Sequence, residues 1–173
     1  MKESSILLLA AALLLTAACA RKTADLTGAK NRIQNALHEA VYDDVKVKED
    51  RGKGVIRLSG NVRSIDDKIR VGQIAESVAD GVVVANEVGV RPEGDEKTAA
   101  EVEHYRDAEI ENHMRAEIAE RKWENIRVHS TNRVLTLEGN VETYDLRQQV
   151  DAIATQVPGV FQVVNLIKVK SIK

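Results

Sequence analysis

Few side chains in this sequence carry chemistry by type and spacing, and the first is Cys19. It is the only cysteine among 173 residues, so it has no partner for an internal disulfide. A lone thiol is a nucleophile open to covalent modification. The histidines are His38, His104, His113 and His129. None stands in a His-x-x-x-His or His-Glu-x-x-His spacing, so no metal site is expected. Glu109 and His113 share a helix face but read as a solvated surface pair. No phosphate-binding glycine loop, dinucleotide fingerprint or Gly-x-Ser-x-Gly elbow is present. The many carboxylates single out no acid/base pair. The sequence therefore predicts binding rather than catalysis, with no cofactor and no small-molecule substrate. A net charge of −2 gives no field suited to nucleic acid. The remaining constellation is Arg115, Arg121, Lys122 and Trp123, cations beside an indole, a set suited to anionic headgroups at a membrane interface. Glu117, Glu120 and Glu124 lie among these cations and dilute their charge.

The setting of Cys19 gives its thiol a role. Ile6 to Leu15 is an apolar run too short to span a bilayer, which takes about 20 apolar residues. Small residues follow, ending in Leu15-Thr16-Ala17-Ala18-Cys19, the layout of an export signal with its cleavage site. The stretch resembles a bacterial lipobox, although Thr16 stands where that motif usually has leucine. The resemblance implies a diacylglyceryl group on Cys19 and cleavage just before it. Ala20, rather than aspartate, follows the cysteine, which by the sorting rule for such lipoproteins implies the outer membrane. Several acyl chains, at about 0.8 kcal/mol per buried methylene, hold a protein firmly on a bilayer.

Behind the signal the chain repeats itself. Leu58-Ser59-Gly60-Asn61-Val62 returns as Leu137-Glu138-Gly139-Asn140-Val141, a shift of 139 − 60 = 79 positions. Along Val55 to Val90 that shift pairs 13 identical residues in 36 positions, where ordinary composition gives about two. Two long copies imply duplicated small domains rather than a solenoid.

Each copy reads as helix, strand, strand, helix, strand. In the first, Thr27 is the expected N-cap of a helix over Ala29 to Val41, with Ile33, Ala36, Leu37, Ala40 and Val41 as its apolar stripe. Val45 to Lys48 and Gly54 to Ser59 make a hairpin, which Gly60 ends. Ser64 opens a helix whose apolar face is Ile65, Ile69, Ile74, Ala75 and Val78, and Val82 to Val90 is the closing strand. Pro92 to Lys97 holds both helix breakers and marks the boundary. In the second copy Thr98 and Glu101 form the expected capping box of a longer helix to about Lys122. Ile126 to His129 and Arg133 to Glu138 are its hairpin, a helix capped by Thr143 follows, and Val160 to Val169 closes it. Gly60 and Gly139 are read as structural, required for positive φ or close backbone approach. Asn61, Asn140, Asn86 and Asn165 are read as bonding local backbone.

These residues resemble the BON domain family. The signature is a strand ending in Leu-x-Gly-x-Val, then a helix closing near Gly-Val, then Val-x-Asn in the last strand. The first copy supplies Leu58-x-Gly60-x-Val62, Gly81-Val82 and Val84-x-Asn86. The second supplies Leu137-x-Gly139-x-Val141, Gly159-Val160 and Val163-x-Asn165. The layout is most like that of dual-BON outer-membrane lipoproteins. The resemblance implies an α+β fold of two tandem α-β-β-α-β sandwiches, each a three-stranded mixed sheet packed on two helices. It also implies phospholipid binding at the periplasmic face of a membrane, placed in the second domain and its first helix.

The organisation expected is a signal over 1–18, a tether over 19–27, BON domain 1 over 28–91, a linker over 92–97 and BON domain 2 over 98–173. The expected partner is an anionic phospholipid membrane, with envelope proteins as the alternative partners of an adaptor or chaperone.

Overall fold

The computed structural model describes residues 25–170. The signal, Cys19 and the tether up to Ala24 lie outside them. Four helices and eight strands follow one another: α1 (Leu26–Glu39), β1 (Lys46–Asp50), β2 (Val55–Ser59), β3 (Asn61–Val62), α2 (Ile65–Val78), β4 (Val83–Asn86), β5 (Gly89–Val90), α3 (Glu96–Glu120), β6 (Ile126–Thr131), β7 (Val134–Val141), α4 (Tyr144–Ala154) and β8 (Gln162–Val169). Two sheets of the same design result, ordered β1-β2-β4 and β6-β7-β8, each with one antiparallel and one parallel pairing. This is the α+β duplication expected.

Each sheet lays one face on its own two helices. Ile33, Leu37, Ile56, Leu58, Val71 and Val84 make the first core, and Ile110, Met114, Leu135, Leu137, Val150 and Ile167 the second. Strand alternation leaves a helix-free face on each sheet, and there the two domains meet. Ala85 packs with Val134 and Val164, flanked by Phe161 and Leu166. The side-chain amide of Gln162 bonds along the outer edge of β4. It accepts from Asn86 N at 2.9 Å and donates to Val84 O at 2.9 Å. The tip of the β6–β7 hairpin enters the first domain. Asn132 Nδ2 donates to Glu87 O at 2.8 Å, and Lys68 Nζ donates to Asn132 O at 2.5 Å while lying over the Phe161 ring.

That contact explains where helix patterning misled. The expected apolar face of α2 included Ile65 and Ile69, yet both are exposed, and Lys68 is buried with Val71, Gly72 and Ala75. The helix is turned so that Lys68 reaches the second domain. Val41 is likewise not part of the α1 stripe: its φ is +64° and its side chain is 81% exposed, because the helix has ended by then. The cap of α1 is Asp25, which accepts from Gly28 N at 2.9 Å, so the helix begins before Thr27 and takes the last two tether positions. In the same way α3 starts at Glu96, ahead of the expected capping box and inside the expected linker. The caps at Ser64 and Thr143 stand as expected.

Gly60 bends the chain but does not end the pairing. β3 continues beyond it against β5, and β7 runs unbroken through Gly139. The closing strand of the first copy is instead the interrupted one, broken between β4 and β5 at Glu87 and Val88. Both glycines do need their missing side chain. Gly60 has φ +111°, and a Cβ there would lie 2.3 Å from Asp44 O. Gly139 has φ +135°, and its Cβ would lie 1.8 Å from Asn125 O. Asn86 and Asn165 reach further than local backbone. Their Nδ2 atoms donate to Lys68 O (2.8 Å) and Arg147 O (3.4 Å), tying the last strand of each domain to its second helix.

Two measurements check this account. Gly139→Ala is expected to destabilise the protein by about 2–4 kcal/mol in urea denaturation, since what it meets is the backbone carbonyl of Asn125, just before β6. Burial pushes the Lys68 ammonium down to about 8 from its ordinary 10.5, against the pull of the Glu103 carboxylate. The unfolded chain then binds more protons between those two values, so this lysine makes stability rise with pH across that window. Lys68→Met is expected to flatten that rise in the urea midpoint between the two ends of the window. An unchanged slope would assign it to other groups.

Candidate lipid-contact site

The sequence-predicted cluster sits where α3 ends. The helix closes by a left-handed turn at Lys122, whose φ is +54°, and Trp123 N donates back to Ile118 O at 3.0 Å. This is the backbone closure of a helix that stops and turns. The first domain closes α1 the same way, with Val41 in the left-handed position and Tyr42 N bonded to Leu37 O at 2.9 Å. The two corners differ in what they offer. Tyr42 is tied down through its hydroxyl to Asp67, 3.1 Å away. Burial and then that carboxylate hold the Tyr42 hydroxyl above its ordinary pKa. Trp123 is half-buried against the second core, and its ring carries the Arg121 guanidinium 5.5 Å above it.

Arg121 and Trp123 are therefore brought together, in cation–π geometry. Arg121 is also paired with Glu117, which lessens its free charge. Lys122 is exposed beside them and forms no ion pair among the described residues. Arg115 stands apart, about 9 Å back along the helix, and holds Glu111 at 2.6 Å. Glu111 in turn accepts from Ser130 N at 2.8 Å and His129 Nδ1 at 2.9 Å. Burial pushes the Glu111 carboxyl up, but the bonds from Ser130, Arg115 and His129 outweigh it and leave it below its ordinary pKa. Arg115 thus belongs to the bonding that seats α3 on the hairpin.

Beside the corner a groove of about 200 Å³ runs between α3 and α4, lined by His113, Glu117, Arg121, Ile153, Gln156 and Val157. It offers aliphatic floor next to a guanidinium, a combination that accepts an amphiphile. The histidines do not gather: His129 is engaged by Glu111, His38 lies 2.5 Å from Asp43, and His104 lies against Tyr105. Among the described residues no group of three potential metal ligands is found. No described helix is long and apolar enough to cross a membrane.

Sequence patterning did not point to the basic side chains that the docking of the two domains collects. Lys53 of the β1–β2 turn meets Glu138 of β7, and Arg127 and Lys168 stand nearby. The 79-residue shift aligns copies and says nothing of contacts between them, so it carries no signal for such a cluster.

The family model described as BON domain matches the chain twice, over residues 25–92 and 106–171. No curated protein matches the chain. Two solved structures from Chlamydia trachomatis are similar to it, both of CdsD, described as a structural protein of the type III secretion system. The C-terminal domain of CdsD is 12% identical with a TM-score of 0.36, covering 82% of this chain and 96% of its own. The other is 13% identical with a TM-score of 0.37, covering 83% and 92%.

Proposed function

The chain belongs to the BON domain family, with two copies of the domain, and from that premise we propose a lipid-anchored periplasmic binding protein that recognises anionic phospholipid. Recognition is assigned to the second domain, and its consequence is support of outer-membrane integrity. The family is associated with membrane and phospholipid binding. The observation that carries the reading is the Arg121–Trp123 stack beside exposed Lys122, with Arg121 also lining the groove to which Ile153 and Val157 give aliphatic surface. The indole suits the interfacial layer, and the two cations suit the phosphates of that layer. Cys19 supplies the anchor in this reading, on the inner leaflet of the outer membrane. The role is one of binding, with no catalytic step.

One observation favours a second reading, an adaptor for envelope proteins. The first domain exposes Val41, Ile65 and Ile69, aliphatic surface of the sort that partners cover.

Co-sedimentation of the protein lacking residues 1–19, which keeps every described residue, tests the first reading. Binding is expected to vesicles containing phosphatidylglycerol or cardiolipin and not to phosphatidylcholine alone. The fluorescence of Trp123, the only tryptophan, is expected to shift to the blue on binding. Replacing Arg121 and Lys122 together by alanine is expected to weaken binding by about tenfold or more, at about 1 kcal/mol per cation. No binding to either vesicle removes the lipid reading and leaves the adaptor. For the anchor, the protein is expected in the membrane fraction and Cys19→Ser is expected to release it; a protein already in the soluble fraction, and unaltered by Cys19→Ser, would be a soluble periplasmic protein.

A further inference from the structure

We propose that the cleft formed where the two domains meet, walled by Lys53, Arg127 and Lys168, is a binding site for a phosphate group. It is separate from the corner at Trp123. That indole packs on the helix side of the second sheet, whereas this cleft opens on the helix-free side, with a volume of about 180 Å³.

Three strands and one turn bring its charges together. Lys53 comes from the β1–β2 turn of the first domain, Arg127 from β6 and Lys168 from β8. Between them Glu138 of β7 offers one oxygen to Lys53 Nζ and the other to Arg127, 3.8 Å away. Lys168 forms no ion pair among the described residues. Among the side chains lining the cleft, three cations thus face one carboxylate, an excess of +2 in a chain whose net charge is −2; Asp50, behind the turn, is held by Arg57 and by the Lys53 N–H. A monovalent carboxylate leaves that excess uncompensated. A phosphate group supplies the missing charge and enough oxygens for an Arg fork and two ammonium groups at once. Gly139 and Asn140 form part of the wall, so their amides report on what enters the cleft.

Further lysines stand on the adjoining face of the first sheet, where Arg57 is held by Asp50 and Glu87. Lys48 lies opposite Arg57 on the first sheet, and Lys46 opposite Ser59, which puts both lysines on the same helix-free face. Neither forms an ion pair among the described residues. A cleft with an excess of one sign of charge concentrates ligands of the other. The site also has no counterpart in the first copy, where the 79-residue shift aligns Lys168 with Gly89 and Glu138 with Ser59. It arises only when the two domains dock, because Lys53 belongs to one and the remaining residues to the other.

Inorganic phosphate titrated into the protein lacking residues 1–19, at constant ionic strength, tests this through the backbone amide resonances of Gly139 and Asn140. Saturable shifts are expected there. Lys168→Ala and Lys53→Ala are each expected to weaken binding by about fivefold, the scale of one charge-assisted contact. Glu138→Gln is expected to tighten it, since a competing anion has gone. Lys30→Ala, which removes an equal charge on α1, is expected to leave the affinity unchanged. Absence of saturable shifts overturns the proposal, as does an equal loss from Lys30→Ala, which would mean a diffuse field. Retained dispersion of the remaining amide resonances shows that each variant is folded. Glycerol phosphate and phosphatidylglycerol vesicles then separate the source. If Lys168→Ala weakens vesicle binding too, the phosphate is a headgroup; if it weakens only the soluble phosphates, the ligand is a free phosphorylated solute. Either result upholds the site, and neither depends on Arg121 or Trp123.

Discussion

Asn132 stands at the tip of the β6–β7 hairpin with φ +47°, and each of its polar groups is taken. Its N–H donates to Asp107 Oδ2 at 2.7 Å and its carbonyl accepts from Lys68. Its side chain donates to Glu87 O and accepts from Arg91 at 3.4 Å. One residue thus joins α3, α2 and the end of the first sheet. The bonds are part-buried, where losing one partner leaves the other groups desolvated and unpaired. Asp107 completes the grip by accepting from Ser130, Asn132 and Arg133, and so fixes the two-residue turn that aims Asn132. The docking of the two domains is pinned at that turn.

Much of the fold was legible because duplication is a strong signal and because strand and helix periods differ. The Leu-x-Gly-x-Val corners, the order of elements and the caps at Ser64 and Thr143 all followed from local pattern. What escaped was fixed by distant partners. Lys68 falls outside the expected apolar face of α2, and only the approach of Asn132 and Phe161 makes its burial intelligible. Asn86 looked like a turn residue, but its partner is a helix carbonyl 18 positions earlier. Val41 sat in phase with the α1 stripe because periodicity does not reveal where a helix stops. Among the candidate site residues, patterning found Arg121 with Trp123 as neighbours in space, while the spacing of four between Glu111 and Arg115 on one helix already allows the ion pair that takes Arg115 out of the cluster.

The copies have also divided their labour. The position of Gly72 in α2 is that of Asp151 in α4. Asp151 accepts from Asn165 Nδ2 at 3.0 Å, and Asn165 Oδ1 accepts from Ile167 N at 3.1 Å. In the first copy the glycine admits Asn86, whose buried Oδ1 has no partner among the described residues. The side chain of Lys68 is spent on docking, whereas Arg147 at the same position donates to Asn165 O in its own domain at 3.2 Å. α3, longer by 11 residues than α1, uses its length between the domains, where Glu103 and Asp107 face Lys68.

Gln162 carries one more consequence. A lone sheet of this design has two bare edges, each able to recruit a strand from another molecule and so begin an open-ended ribbon. With its side-chain amide bonded to Val84 O and Asn86 N, Gln162 occupies one such edge with a group that cannot propagate. The outer strand left on the first sheet, β1, reads Lys-Val-Lys-Glu-Asp, a charged run poorly suited to annealing with a copy of itself. Tandem duplication has thus given this protein a built-in guard against polymerising.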